Sequence, residues 1–410
     1  MYPVRCEGSS QHRPATHFPP MKSLSFLLLL CVLLSTSLTG CASSHTIPSP
    51  LPQPPQGEQY SFSAAGGDAN DLWIVGELTH NFHCLAPFAL HWNSSSWQLH
   101  VFQPSFGNPL FVSVTNPYSV WLAGTSQSIT PALAPQHAIV MHFDGHTWQN
   151  DSPTQAEYLS PEFQMESFSV GSDNAAWLAF TTGDVPHILH WSGSSWISFS
   201  LNRIGPKGSP VLNVNSVVAQ GSKYAWIAGE IRNGSAISFL VHINGTRVTR
   251  LPMPTAAHNS SIHSIQVLSP NDIWIVGYGS GNAFCSEPLG LFHWNGSSWT
   301  SFERHGTAYP GTFDSISFPS SHFGWAVAEE GGFGISDRLF QWTGTRFIPE
   351  YLNVDPSAHP APAAFQAHVL YSPTSSFAVL AGSWSSSPDS NFTSTPFIAV
   401  WNGGKWTALQ

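Results

Sequence analysis

The side chains of this chain that could do chemistry are few and far apart. Cys84 lies in "NFHCLAP" and Cys285 in the similar "NAFCSEP", with His80 and His83 just ahead of Cys84. Neither HExxH nor CxxC spacing accompanies them, so no metal or other cofactor is assigned. Glu77, Glu230, Glu329 and Glu330 each follow a short apolar run, and Asp184 stands in a similar place. Gathered around one mouth, such carboxylates would bind a cation or a basic partner, or form a solvated rim. Two of them at a suitable separation could serve as acid and base in glycoside cleavage, but the sequence fixes no separation. Five histidines, His91, His142, His190, His242 and His293, each precede a large apolar residue. That regularity favours a structural role, with each imidazole hydrogen-bonding the adjacent blade or edge.

Most of the chain reads as scaffold. Charged residues are 9% of 410, while 17 tryptophans need somewhere to pack. Solubility must come from hydroxyls and amides. The formal net charge of −10, with no basic stripe, disfavours nucleic acid as a partner.

The first forty residues read as an address. From Met21, the expected true start, the sequence runs "MKSLSFLLLLCVLLSTSLTGC". Lys22 is a basic n-region, and Leu24 to Leu34 is an apolar stretch of signal-peptide length, too short to span a bilayer. "LTGC" resembles the lipobox of bacterial lipoproteins. The resemblance implies cleavage before Cys41, acylation of that cysteine and an extracytoplasmic, membrane-anchored protein. Two acyl chains suffice for stable anchoring. Loss of residues 1–40 removes three basic residues and one acidic one, taking −10 to −12. Residues 41–59 then form a proline-rich tether, "TIPSPLPQPPQG", expected to act as a semi-rigid spacer.

Beyond residue 59 the chain repeats itself seven times. One landmark is a turn between two large apolar residues five positions apart. The pairs are Trp92 and Trp97, Phe143 and Trp148, Trp191 and Trp196, Ile243 and Val248, Trp294 and Trp299, Trp342 and Phe347, and Trp401 and Trp406. Six of the seven turns have glycine in their second position, as in "HWNGSSW". This is hairpin chemistry, and it puts both large residues on one face. Ahead of each turn stands an apolar run: "DLWIVG", "SVWLAG", "AAWLAF", "YAWIAG", "DIWIVG", "FGWAVA" and "FAVLAG". Such runs suit a strand buried on both faces. A third element precedes each run, and no helical period is visible.

Four short strands per unit, A to D, seven times over residues 60–410, predict an all-β, seven-bladed β-propeller. The copies run in phase from near Tyr60 to near Leu409, so each blade is contiguous in sequence. Packing of blade 1 on blade 7 must then close the ring. The "W-[IL]-x-G" run followed by "NGSSW" resembles the bacterial repeats of Ycf48-like assembly factors and Asp-box (BNR) propellers. It departs from them in that Asp144 to Trp148 and Asn295 to Trp299 are one residue shorter than the Asp-box spacing. The resemblance implies the fold and, as one option, help in assembling a membrane complex.

In a meander the A–B and C–D turns share one face and the B–C and D–A connections share the other. Long B–C loops are expected at Glu77 to Pro87, Thr125 to Gln136, Tyr278 to Leu289 and Ser383 to Pro396, and a long D–A loop at Glu350 to Pro362. Irregular loops on a rigid scaffold are where binding concentrates. Glu77, His80, His83, Asp184, Glu230, Glu329 and Glu330 are therefore the candidate binding face. Once Cys6, Cys31 and Cys41 are assigned to the leader and anchor, Cys84 and Cys285 remain, a candidate disulfide for an exported protein. They lie on blades 1 and 5, so they could bond only if both loops lean over the central mouth. The functional expectation is a binding or scaffolding module for an envelope protein or glycan, without catalysis. The alternatives are a glycan-acting hydrolase or lyase, and a Ycf48-like assembly factor.

Overall fold

The computed structural model describes residue 47 and residues 50–409, apart from 81–82, 127–134, 156–157, 173, 205–209, 234, 255–259, 280–287, 303–312, 331–335, 353–363 and 386–394. Within these residues, 28 strands form seven four-stranded antiparallel meanders, each contiguous in sequence. The blades span Gln59–Val101, Asn108–Asn150, Phe163–Ser198, Val211–Leu251, Ser260–Ser301, Phe313–Glu350 and Ala364–Leu409. The A strands of successive blades touch one another all the way round, which makes them the inner ring. The seven-bladed propeller read from the repeats is the observed fold.

The B strands are buried on both faces. Trp73, Trp121, Trp226, Trp274 and Trp325 are each at most 2% exposed. Each apolar cluster draws its members from two adjacent blades, so no blade holds a core of its own. The last cluster joins Tyr60, Phe62, Leu72 and Phe88 of blade 1 to Val369, Val379, Ile398 and Leu409 of blade 7. At this seam the Tyr371 hydroxyl donates to the Gly67 carbonyl at 2.9 Å and accepts from the Gly67 amide at 3.2 Å. The ring closes by packing, and among the described residues no strand is exchanged between its ends.

The hairpin turns behave as their chemistry dictates. All seven large-residue pairs are direct cross-strand partners. The second turn residue has positive φ in every copy: Ser94 at 67°, and glycines 145, 193, 245, 296, 344 and 403 between 58° and 97°. Asn93, Asp144, Asn295 and Asn402 fold their side-chain oxygens back onto the amides two and three residues on, at 2.8–3.2 Å. The amides of Thr147 and His146 hold the Asp144 carboxyl down at about 2.

The histidines of the C strands stack on the tryptophan of their own blade. Ring centroids lie 3.9 Å apart for Trp73–His91, 4.1 Å for Trp121–His142, 4.7 Å for Trp177–His190, 4.5 Å for Trp226–His242 and 4.1 Å for Trp274–His293. His91 Nε2 bonds Asp71 at 2.7 Å and His293 Nε2 bonds Asp272 at 2.8 Å. The role is structural, but these two imidazoles bond within their own blade rather than to an adjacent one.

Every A strand carries a β-bulge at one level, and in five blades the glycine of the "W-x-x-G" run stands opposite it. The run's fourth residue pairs with the residue just before the bulge: Gly76 with Phe62, Gly124 with Pro109, Phe180 with Met165, Gly229 with Val214, Gly277 with Ile262, Ala328 with Phe313 and Gly382 with Ala367. A Cβ at Gly76 would lie 1.9 Å from the Ser61 carbonyl oxygen, and one at Gly382 1.9 Å from that of Gln366. Glycine here allows a close backbone approach. Blades 3 and 6 accommodate Phe180 and Ala328 instead, and nothing in the structure explains how.

Two sequence expectations change. Glu77 to Pro87 is not a loop: strands Leu72–His80 and His83–Trp92 pair out to His80 and His83, with a bulge at Leu85. Histidines, a proline and small residues gave that stretch the look of a connection. The tether is not wholly free either. Ile47 is 5% exposed within the seam cluster, Leu51 packs against it, and the Tyr60 hydroxyl donates to the Pro52 carbonyl at 2.8 Å.

Gly76→Ala and Gly382→Ala should each destabilise the ring by about 1–3 kcal/mol, whereas Gly404→Ala, with only Asn402 Oδ1 nearby at 3.8 Å, should stay within about 0.5 kcal/mol. Ser94→Gly should stabilise by roughly 0.5 kcal/mol, since relief of the left-handed backbone exceeds the entropy glycine adds to the unfolded chain. Denaturant midpoints measure all four. In an NMR titration Asp144 should show a midpoint near 2. Because its folded pKa is depressed, its contribution to the turn is complete above about 4 and is lost as the pH falls through about 2.

Candidate functional site

The two faces of the ring are built differently. The A–B/C–D face is seven variants of one hairpin. On the B–C/D–A face the described blades differ from one another. Blade 1 extends both strands to His80 and His83, blade 3 turns tightly at Gly183 and Asp184, and blade 4 closes between Asn233 and Ser235. In blade 2 the connection runs from Thr125 to Ala138.

This face distributes the candidate residues one blade at a time. Glu77, Glu230 and Glu329 occupy one repeat position, directly after the bulge-facing residue of the B strand, in blades 1, 4 and 6. Glu230 pairs with Ser238, Glu329 with Asp337 and Glu330 with Ser336. Asp184 is exposed in its turn, beside exposed Glu162, whose carbonyl accepts from the Gly183 amide at 3.0 Å. These carboxylates belong to blades 1, 3, 4 and 6. Among the described residues, no three His, Cys, Asp or Glu side chains are grouped so as to hold a metal ion.

The blade 1 hairpin is where candidate side chains do meet. The Cys84 thiol donates to Glu77 Oε2 at 2.8 Å. Partial burial, this hydrogen bond and the Glu77 charge together push the thiol up to about 11. His80 Nδ1 donates to the Gly57 carbonyl, tying the hairpin to the incoming chain. His83 is exposed beside them. Cys84 is a free thiol, and Cys285 lies outside the described residues.

Sequence reasoning missed the inner ring. The seven bulged residues are Ser63, Leu110, Glu166, Asn215, His263, Asp314 and His368, polar in six blades. Two of them reach the residue that precedes the next blade's bulge: Asn215 Nδ2 donates to the Ile262 carbonyl at 2.7 Å, and His368 hydrogen-bonds the Phe62 backbone. Burial raises the Glu166 carboxyl, and a hydrogen bond from Thr181 partly offsets this. Burial lowers His368, and its hydrogen bond with the Phe62 backbone partly offsets this. A signal was present, since a glycine inside an apolar strand marks a bulge or a close approach. Other polar side chains stitch blade to blade: Gln266 makes paired 2.7 Å bonds with the Phe318 backbone, and Ser167 accepts from the Val217 amide at 2.9 Å.

No family model matches this chain, and no curated protein matches it. Solved structures do. The GH74 xyloglucanase from Xanthomonas campestris is similar with a TM-score of 0.57 and 11% identity over 85% of this chain and 53% of its own. The β-propeller domain of the Trilobed protease from Pyrococcus furiosus gives 0.55 and 9%, covering 86% of this chain and 98% of that domain. A structure of YCF48 bound to D1 peptide gives 0.44 and 17%, covering 73% and 80%. At these identities the likeness is one of fold.

Alkylation at pH 7 should find Cys84 at least about tenfold slower than an unperturbed thiol, because the thiolate is the nucleophile. Glu77→Gln should recover part of that rate, since burial, the larger cause, remains. Equal rates for the wild type and the variant would show that Glu77 does not control this thiol.

Proposed function

We propose that this protein is a lipid-anchored, extracytoplasmic binding or scaffolding propeller that recognises an envelope protein or glycan through its B–C/D–A face. The observation that carries this reading is the contrast between the two faces. One repeats a single hairpin seven times, with positive φ at the second turn residue of every copy and the same side-chain-to-amide bonds in four of them. The other varies from blade to blade on the same rigid ring, which is how a scaffold carries a specific surface. The anchor rests on the "LTGC" segment and Cys41. The spread of Glu77, Glu230 and Glu329 over three blades favours recognition over acid–base chemistry. Assistance to a membrane complex is the form of this reading in which the partner is an integral membrane protein.

Crosslinking in the native host, followed by capture of a tagged protein that retains Cys41, tests the reading. One dominant envelope protein, crosslinked through B–C or D–A residues, is the expected result. Replacing residues 79–85 with a two-residue turn, which keeps the buried Leu78 and its partner Ala86, should weaken that capture while leaving the thermal midpoint within a few degrees. Turnover of an envelope glycan that disappears in Glu77→Gln, Glu230→Gln or Glu329→Gln would instead establish a hydrolase or lyase.

A further inference from the structure

The path of the incoming chain bears on orientation. The first A strand, Gln59–Gly67, begins opposite Thr79, at the B–C end of its partner strand. The spacer therefore reaches the ring on the B–C/D–A face. It is also fastened there: Ile47 is buried in the seam cluster, Leu51 packs on it, Pro52 accepts from Tyr60, and Gly57 accepts from His80. Five residues lie between Cys41 and Ile47, so the six steps reach at most about 20 Å. A wholly free spacer from Cys41 to Gln59 could span about 60 Å.

The exposed apolar side chains of the described residues are distributed unevenly. Leu85, Val101, Leu159, Val185 and Tyr351 all lie at strand ends or connections of the B–C/D–A face, with Val185 at 55% and Tyr351 at 83% exposure. Tyr118 and Tyr224 are on the opposite face, and Ile197 is on an outer strand. Single exposed apolar residues are ordinary. Five of eight on the face that the short tether leaves are suited to a membrane interface, where an amphipathic tyrosine ring is at home.

We infer that the B–C/D–A face lies against the head-group layer of the membrane, held there by the spacer docked at the seam between blades 7 and 1. The inference rests on the reading that Cys41 is acylated. It makes the binding surface membrane-proximal, so its ligand is resident in or on that bilayer. The carboxylates of Glu162 and Asp184 on the same face favour zwitterionic over anionic lipid.

The test uses the full-length lipidated protein in phosphatidylcholine vesicles that contain a lipid with a nitroxide on its head group. In a Cys84→Ser, Cys285→Ser background, single cysteines at Val185→Cys, Tyr351→Cys, Tyr118→Cys and Tyr224→Cys carry a fluorophore. Quenching several-fold stronger at 185 and 351 than at 118 and 224 is expected, and Ile47→Asp should reduce it while flotation with vesicles persists. Equal or reversed quenching on acylated protein overturns the orientation and leaves the anchor standing. An unacylated Cys41 peptide by mass spectrometry, with no flotation, removes the anchor and the orientation together. Protection of positions 185 and 351 in native membranes without quenching in vesicles assigns the face to a membrane protein and overturns contact with lipid.

Discussion

Everything in this fold depends on the fact that a blade cannot bury its own apolar surface. The B strands are apolar on both faces, and Trp73, Trp274 and Trp325 reach zero exposure only because the neighbouring blade covers them. Each cluster is shared property, so stability is a matter of seven interfaces rather than seven cores. An open row of such blades would leave one apolar face bare at each end. Closing the row into a ring removes both ends together, and side-chain packing between blades 7 and 1 is sufficient to do it.

Within that constraint, the repeated residues divide the labour. The large pairs of the C–D hairpins fix register at the rim. The turn residues satisfy amides that would otherwise depend on water. The glycine of the B strand works at the centre, where it lets the A strand bulge at a common level. There the bulge can point a polar side chain at the next blade, as Asn215 and His368 do. The tryptophan–histidine stacks occupy the middle ground. They fill space beside the B strand, and in two blades an aspartate fixes the imidazole.

The legible parts of this protein were those governed by local chemistry. Turn residues with positive φ, paired aromatics and doubly apolar strands recur at fixed spacing, and each has a single physical solution. Blade number, strand number and contiguity follow. The parts that misled were compositional. His80, His83 and Pro87 look like a connection, yet backbone pairing tolerates them on an extended hairpin whose side chains reach solvent. "TIPSPLPQPPQG" looks like a free spacer, because nothing in its composition says that Ile47 and Leu51 meet an apolar groove made in part by residues over 300 positions away. Topology put the candidate carboxylates in the later part of their B strands or in the turn that follows. How far apart they stand was not legible, since that depends on blade geometry. The inner bulges carried a signal in the glycine, but their polar side chains have no common type and so no pattern to find.

The seam has a consequence in time. Gly67 and Tyr371, which bond across it, are 304 residues apart in sequence. As a chain is synthesised at about 5–20 residues per second, roughly 15–60 s pass between the appearance of one and of the other. During that interval the blade 7-facing side of blade 1, with Phe62, Leu72 and Phe88, has no partner blade. Its first available cover is the segment that emerges just before it, bearing Ile47 and Leu51. Two side chains of a proline-rich leader to the ring thus stand in, early, for a surface that arrives last.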